Sequence, residues 1–116
     1  MKTNVKIAGT TFHPLPDGQY LRVKQTYEFE GTSCADTDAI LVPEPENPHD
    51  PEAVKVLVPL ETGQAFHIGY LPKESELKRL ISGSRRSYGA TVMVKNFAAK
   101  NPQYAPSWLI TEVNGL

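Results

Sequence analysis

The sequence predicts one mainly β domain over residues 1–116, a barrel of about six or seven strands with one or two short helices. Three observations predict this class. The length of 116 residues suits a single domain with one core. Short segments with period-two alternation of apolar residues recur along the chain, whereas only one segment has a helical pattern. The 10 prolines stand at segment junctions, which favours short elements joined by sharp turns.

Seven segments are predicted to be strands, because each alternates apolar with polar residues or is a short apolar run bounded by turn residues. The alternation is clearest where Leu21, Val23, Tyr27 and Phe29 are separated by polar side chains. The predicted strands are 5–9, 19–29, 39–42, 53–58, 65–71, 90–94 and 107–113.

One helix is predicted over residues 73–82. Leu77, Leu80 and Ile81 have the i, i+3, i+4 spacing of one apolar helix face. Gly83 suits the position just after a helix end, so the pattern stops where a helix could stop.

Two segments between the strands are predicted to be loops. Residues 31–38 (GTSCADTD) are polar, and we expect Cys34 to be a small loop residue there. Residues 43–51 hold four prolines, which remove too many backbone N–H groups for a strand ladder.

Composition excludes several classes of protein. Cys34 is the only cysteine, which excludes a disulfide framework and a cysteine zinc site and favours the reducing cytosol. No apolar run approaches ~18 residues, so no membrane span is predicted. The N-terminus lacks the apolar stretch of a signal peptide. We therefore expect a cytoplasmic protein that has no membrane partner.

Charge is nearly balanced overall but unevenly distributed. Twelve Lys and Arg face thirteen Asp and Glu, which excludes nucleic-acid binding by bulk charge alone. Residues 28–61 hold nine acids and one base, whereas residues 73–100 hold seven bases and two acids. The basic run, which includes Lys73, Arg85 and Arg86, could mark an anion-binding face. Alternatively, both runs are solvated surface or pair with each other across the fold.

The most unusual local feature is Asn47-Pro48-His49-Asp50, which presents an amide, an imidazole and a carboxylate within four residues. One interpretation is turn chemistry, since Asn and Asp before proline favour turns and cap their own backbone. The other is a binding loop, in which proline lowers the entropy cost of holding polar groups in place.

Two aromatic residues occupy positions that suit base stacking. Phe12 and Tyr70 each stand where a predicted strand leaves the sheet, near Gly9 and Gly69 respectively. Glycine lets a ligand or another backbone approach closely there, and rim aromatics beside cations commonly stack single-stranded bases. The alternative is that both rings belong to the core. Three further aromatic residues cluster late in the chain, namely Phe97, Tyr104 and Trp108.

The sequence offers no catalytic constellation. His13, His49 and His67 do not have the helical spacing of a zinc site. No Gly-rich phosphate loop and no G-x-S-x-G elbow is present. We therefore predict no enzyme activity, no metal and no cofactor.

Three stretches in order resemble the HIRAN domain. They are IAGTTFH at 7–13, PEPENPHDPEAVKV at 43–56 and IGYLPKE at 68–74. They match a glycine-ended first strand followed by an aromatic, an E-P-x-N-P-x-D-x-x-A-V-x-V motif and a G-[YH]-[LV]-P segment. The resemblance covers roughly residues 4–113. The sequence is similar to the stand-alone type of HIRAN domain, which is found in bacteria and phages.

The resemblance implies a modified OB-like β-barrel that binds DNA. HIRAN domains occur fused to helicase-like ATPases that remodel replication forks, and as separate proteins. In the fork-remodelling members the domain binds single-stranded DNA with a free 3′ end, stacks aromatics on the terminal bases and accepts a hydrogen bond from the 3′-hydroxyl through an aspartate. The matching residues here are Phe12, Asn47, His49, Asp50, Tyr70 and Lys73.

This sequence also departs from those members. They carry an Arg-Tyr-Tyr-like cluster after the first glycine, whereas residues 10–13 here read Thr-Thr-Phe-His. They also have a tyrosine at the position of His49. No ATPase motif is present, so a helicase or nuclease partner would be supplied as a separate chain.

The sequence therefore predicts a module for DNA repair or replication forks that recognises single-stranded or frayed DNA, specifically a 3′-hydroxyl end, by stacking and an aspartate. The alternative is an adaptor that binds a protein and retains only a vestigial DNA pocket, which the near-neutral charge and the acidic 28–61 stretch favour. The predicted DNA-binding residues are Phe12, His13, Asn47, His49, Asp50, Tyr70, Lys73, Arg85, Arg86 and Phe97.

Overall fold

The computed structural model describes residues 1–98 and 106–116, and within these ranges it contains seven strands, a short 3-10 turn and one α-helix. The mainly β class is therefore confirmed. The strands are β1 (Lys2–Lys6), β2 (Gln25–Phe29), β3 (Thr32–Pro43), β4 (Val54–Pro59), β5 (Ala65–Tyr70), β6 (Tyr88–Lys95) and β7 (Ser107–Val113). The 3-10 turn is Thr10–Phe12, and helix α1 is Glu76–Ser84.

All seven strands belong to one antiparallel sheet. Their order is β1-β7-β6-β3-β4-β5, and β2 pairs with β3 beside this path. Within residues 1–98 and 106–116, the two outer strands, β1 and β5, are joined where Ala8, just after β1, bridges Tyr70. Among the described residues the sheet is not closed into a barrel, so the OB-like barrel that we predicted is not confirmed.

The core lies on one face of this sheet. In β4 the side chains of Val54, Val56 and Val58 are buried, and the intervening side chains are only half-buried. Helix α1 adds Leu77 and Ile81 to the same cluster. Alternation of period two in the strands and an apolar stripe on one helix thus build the core, as predicted.

The predicted loop 31–38 is wrong, because β3 begins at Thr32 and runs through the whole polar stretch. This stretch pairs with β2 on one side and β6 on the other, so its backbone N–H and C=O groups are hydrogen-bonded although its side chains are mostly polar. Thr37 is fully buried, and its hydroxyl donates to the Arg22 carbonyl at 2.8 Å. Cys34 is a buried strand residue and not a loop residue.

Other predicted boundaries shift as well, and the first strand is Lys2–Lys6 and not 5–9. Of residues 19–29, only Gln25–Phe29 form a strand, and Leu21 makes a single bridge to Leu60. The helix begins at Glu76 and not at residue 73, and Gly83 lies inside it. Arg85 takes the left-handed conformation after the helix, with a φ of 57°. The Arg85 N–H donates to the Ile81 carbonyl at 3.2 Å, which satisfies a terminal acceptor of the helix.

A bulge near the end of β5 brings the two outer strands together. Val56 is opposite Gly69 and Leu57 is opposite His67, so Ile68 is the extra residue. The N–H of Ala8 donates to the Tyr70 carbonyl at 2.9 Å, and the N–H of Tyr70 donates back to Ala8 at 3.0 Å. A Cβ atom at position 69 would lie 2.3 Å from the Ala8 carbonyl oxygen, so this contact requires glycine.

Replacing Gly69 by alanine should therefore destabilise the fold. The added methyl group would collide with backbone and with Ile7 Cγ2 at 2.8 Å, and we expect a loss of about 1–3 kcal/mol in the free energy of unfolding. Gly83→Ala is the matched control, since nothing lies within 4 Å of a Cβ there and helical alanine should add about 0.5–1 kcal/mol. Urea unfolding of both variants measures this difference, and equal midpoints for Gly69→Ala and wild type would contradict the prediction.

Candidate functional site

Three segments converge at one end of the sheet. They are residues 9–13 after β1, the loop 44–53 between β3 and β4, and residues 67–70 at the end of β5; we call them together the rim. The Ala8–Tyr70 bridge joins the first segment to the third. The pairing of Lys55 with Tyr70 joins the third to the base of the loop. The rim is therefore held by backbone hydrogen bonds and does not depend on side-chain contacts alone.

A cluster of three rings occupies the centre of the rim. The centroids of the His13 and His67 rings are 4.4 Å apart and their planes are tilted by 37°. Tyr70 meets His67 edge to face at 4.7 Å. His67 Nε2 is 2.9 Å from the Gly69 carbonyl oxygen, which fixes the orientation of the ring. Burial lowers the pKa of His67, and the charge of His13 acts in the same direction, so the neutral ring is favoured.

Glu44 connects this ring cluster to the loop. Asn47 Nδ2 donates to Glu44 Oε1 at 3.1 Å, and Lys55 Nζ lies 3.5 Å from Glu44 Oε2. Burial opposes ionisation of Glu44, but hydrogen bonds from Asn47 and Tyr70 and the charge of Lys55 outweigh it and lower the pKa of the carboxyl. Burial and the bond to Glu44 raise the pKa of Tyr70. The base of the rim is thus a connected network of paired polar groups.

The four-residue motif in the loop 44–53 is organised by Asn47. Its Oδ1 accepts hydrogen bonds from the backbone N–H of His49 at 2.9 Å and of Asp50 at 3.1 Å. Both the oxygen and the nitrogen of the Asn47 side-chain amide therefore form hydrogen bonds within the loop. This agrees with the turn interpretation of Asn47. The side chain of His49 is exposed, and that of Asp50 is partly exposed. The turn presents these two groups to solvent.

Asp50 is bonded through both of its carboxylate oxygens. Oδ1 accepts the backbone N–H of Glu52 at 2.9 Å, and Oδ2 accepts Lys78 Nζ at 2.5 Å. The Lys78 side chain is only 8% exposed, whereas that of Asp50 is 38% exposed. The bond from Lys78 lowers the pKa of Asp50, aided by the Glu52 N–H and by the charge of Lys73. Asp50 is therefore an ionised, oriented acceptor that still reaches solvent.

Phe12 projects away from the core. It lies in the 3-10 turn Thr10–Phe12, which follows Gly9 in the left-handed conformation, and its side chain is 83% exposed. The core interpretation of Phe12 is therefore wrong. An exposed ring of this size beside a cluster of rings is available to a flat ligand.

The basic run contributes groups near the rim. The sheet pairs Tyr88 with Leu41, which places Arg86 at the end of the sheet that carries the loop 44–53. The Arg86 guanidinium lies over the Tyr88 ring at 5.4 Å from its centroid. Lys73 and Arg85 are exposed. Lys78, in contrast, is paired with Asp50 across the fold. One base of the basic run therefore forms an ion pair with one acid of the acidic run.

Phe97 is not brought to the same place as Asp50. It follows the far end of β6, where its N–H donates to the Ser33 carbonyl at 3.1 Å. It lines a cavity of about 330 Å³ together with Tyr20 and Trp108. Tyr104, one of the three late aromatic residues, and Lys100, the last cation of the basic run, lie outside the described residues.

Sequence reasoning missed three residues that support the site, namely Glu44 and His67 in the rim and Lys78 in α1. Lys78 had a detectable signal, because it lies beside Leu77 and three residues before Ile81 on the apolar stripe of the helix. A lysine on the apolar stripe of a helix is buried, and its charge then needs an Asp or Glu side chain as a partner. His67 had no local signal, since its partner His13 is brought near by the sheet.

Within residues 1–98 and 106–116, no group of three or more His, Cys, Asp or Glu side chains is placed to hold a metal ion. None of the helices described in the chain combines the length and the apolar character needed to cross a membrane.

Comparison with known proteins identifies the family. The model of the HIRAN domain matches residues 2–109. The chain belongs to the HIRAN domain family. No curated protein and no solved structure is significantly similar to it. The HIRAN domain is generally a DNA-binding module and is a binding domain, not a catalytic one. The resemblance inferred from the three sequence stretches is thus confirmed, and each of these stretches supplies one segment of the rim.

The Asp50–Lys78 pair should make the stability of this HIRAN domain depend on pH. Asp50→Asn should lower the free energy of unfolding more than Lys78→Met at neutral pH, because it leaves a buried ammonium unpaired. The pKa of Asp50 is lowered from 3.8, so the contribution of the pair is present above that value and is lost as pH falls through the lowered pKa.

Urea unfolding at neutral pH and in acid below 3.8 checks this expectation. The gap between wild type and Asp50→Asn should shrink in acid, since protonated aspartic acid and asparagine are alike in charge. A gap of the same size at both pH values would contradict the role of the ion pair.

Proposed function

We propose that this HIRAN domain binds single-stranded or frayed DNA at the rim and holds the terminal nucleotide by its 3′-hydroxyl. The observation that carries the proposal is the presence on one rim of an exposed stacking ring, Phe12, and an ionised acceptor, Asp50. A module of this kind would act in DNA repair or at replication forks, with a helicase or nuclease on another chain.

Stacking would be supplied by two surfaces of the rim. Phe12 offers an almost fully exposed ring, and His13 offers a second ring that is held against His67. Base–aromatic stacking tolerates any sequence because every base has a π-face. The cluster therefore suits a site that reads a strand end and not a sequence. Tyr70 stands behind His67 and would support it more than contact a base.

Asp50 would recognise the hydroxyl. DNA phosphates repel a carboxylate, so an aspartate suits a DNA site only where the DNA offers a hydrogen-bond donor that is not linked to a further phosphate. The terminal 3′-hydroxyl is such a donor, and an ionised carboxylate can only accept. The bonds that Asn47 makes to the loop hold Asp50 in position, and the exposed His49 lies next to it.

Phosphate contacts would come from the exposed cations near the rim. Lys73 lies close enough to Asp50 for its charge to act on that carboxyl. Arg86 is placed at the same end of the sheet, and Arg85 precedes it at the end of α1. Such contacts orient a strand without reading its bases. The position of Phe97 at the far end of β6 does not support a role at the terminal nucleotide.

The adaptor alternative is favoured by the exposed acids on the same loop. Glu46 and Glu52 flank the proposed hydroxyl site and would oppose a phosphate backbone. The two functions differ in their salt dependence, since affinity for DNA falls steeply as salt rises and an apolar protein interface need not respond.

Phe12→Ala should weaken the binding of a short single-stranded oligonucleotide by about 1–3 kcal/mol, because a stacking surface is lost. Its free energy of unfolding should change by no more than about 0.5 kcal/mol, since the ring is exposed. Fluorescence anisotropy and urea unfolding on the same preparation give the two quantities.

Phe29→Ala is the matched control for this variant. Phe29 is also an exposed phenylalanine, but it lies in β2 opposite Thr32, at the far end of β3 from the rim. It should retain wild-type affinity. Equal affinity of Phe12→Ala and Phe29→Ala would remove stacking by Phe12 from the proposal.

The wild-type domain should bind an oligonucleotide with a 3′-hydroxyl more tightly than the same oligonucleotide with a 3′-phosphate, because the phosphate places negative charge against Asp50. The double variant Asp50→Asn with Lys78→Met removes the pair together and avoids an unpaired buried ammonium. This variant should lose the preference. No preference in the wild-type domain would contradict recognition of the 3′-hydroxyl.

A further inference from the structure

We infer that Lys78 is a specificity-determining residue of the proposed DNA site, which sets how strongly Asp50 discriminates against a 3′-phosphate. The inference rests on the proposed function and adds a residue that would touch no DNA. It follows from the direct bond between Lys78 Nζ and Asp50 Oδ2 and from the burial of the lysine side chain.

The geometry places Lys78 behind the carboxylate. The lysine comes from α1 and is 28 residues further along the chain than Asp50. Its side chain is 8% exposed, so the ammonium has little water with which to exchange its bond to Asp50. The carboxylate is 38% exposed and is the only part of the pair that reaches solvent substantially. A ligand at the loop would therefore meet a carboxylate whose charge is offset from the interior side.

The position of Asp50 does not depend on this lysine. Asn47 Oδ1 accepts the backbone N–H of Asp50, and the Asp50 carbonyl accepts the N–H of Ala53 at 3.0 Å. The other carboxylate oxygen accepts the N–H of Glu52 at 2.9 Å. Two of these bonds fix the Asp50 backbone and the third fixes its carboxylate, so the group stays in place when Lys78 is changed. What Lys78 adds is a positive charge in direct contact with Asp50, whereas Lys73 acts on the carboxyl only through its charge.

That charge affects the two kinds of DNA end differently. A hydroxyl is neutral and needs only an acceptor, which Asp50 supplies with or without the lysine. A 3′-phosphate carries negative charge, and its repulsion by Asp50 is offset by the ammonium behind the carboxylate. Removing the ammonium should therefore penalise the phosphate end and spare the hydroxyl end.

The test compares the affinities for two 5′-labelled oligothymidylates of about ten nucleotides, which differ only in a 3′-hydroxyl or a 3′-phosphate. Fluorescence anisotropy gives the ratio of the two Kd values for the wild-type domain, Lys78→Met and Lys78→Arg. Lys78→Gln is a second neutral variant, and circular dichroism shows that each protein is folded. The ratio is informative because a general loss of stability would weaken both complexes alike.

In Lys78→Met and Lys78→Gln the preference for the 3′-hydroxyl should rise on the order of tenfold, the effect of one unit charge a few ångströms from the phosphate. Lys78→Arg keeps the charge and should keep the wild-type ratio. An unchanged or smaller preference in both neutral variants would overturn the inference and leave the proposed function standing. Failure of the wild-type domain to bind either oligonucleotide would overturn both.

Discussion

The close approach of the backbone at Gly69 to that at Ala8 is the constraint on which the rest of the site depends. Ala8 lies just after β1 and Gly69 lies in β5, the two outer strands of an open sheet, and the segments meet through one pair of hydrogen bonds, at 2.9 and 3.0 Å between Ala8 and Tyr70. No side chain fits at position 69, where a Cβ would lie 2.3 Å from a carbonyl oxygen. The bulge that carries this glycine also sets the positions of His67 and Tyr70. One backbone contact therefore brings Phe12 and His13 to the same rim as the loop 44–53.

Two carboxylates of the rim are paired with lysines that lie outside it. Glu44 lies 3.5 Å from Lys55, and Asp50 lies 2.5 Å from Lys78. A carboxylate without a partner at either place would repel DNA, and a buried ammonium without one would be costly. Pairing explains how a HIRAN domain with a net charge of −1 can present acidic groups at a site that we propose for a polyanion. It also ties α1 to the loop, so that the helix supports the site from the interior side.

Much of the fold follows from local sequence patterns, and much of the site does not. Period-two alternation marks β4 and β6 well, because each has one face in the core. It fails for Thr32–Asp38, since this polar stretch becomes a strand only through its neighbours β2 and β6. The three motif stretches located Phe12, Asp50 and Tyr70, which do lie on one rim. Lys78 pairs with Asp50 and His67 with His13 across long separations in the chain, so the sequence can mark Lys78 as unusual on its stripe, but only the tertiary fold reveals either pairing.

In the proposed function, the rim is the surface that receives the end of a DNA strand. The most direct measurement is a map of backbone amide chemical-shift changes when a short single-stranded oligonucleotide with a 3′-hydroxyl is added to the labelled domain. The changes should concentrate in residues 9–13, 44–53 and 67–70. Changes centred instead on the opposite end of β3, around Phe29 and Thr32, or on the outer face around Ile40 and Leu57, would contradict it.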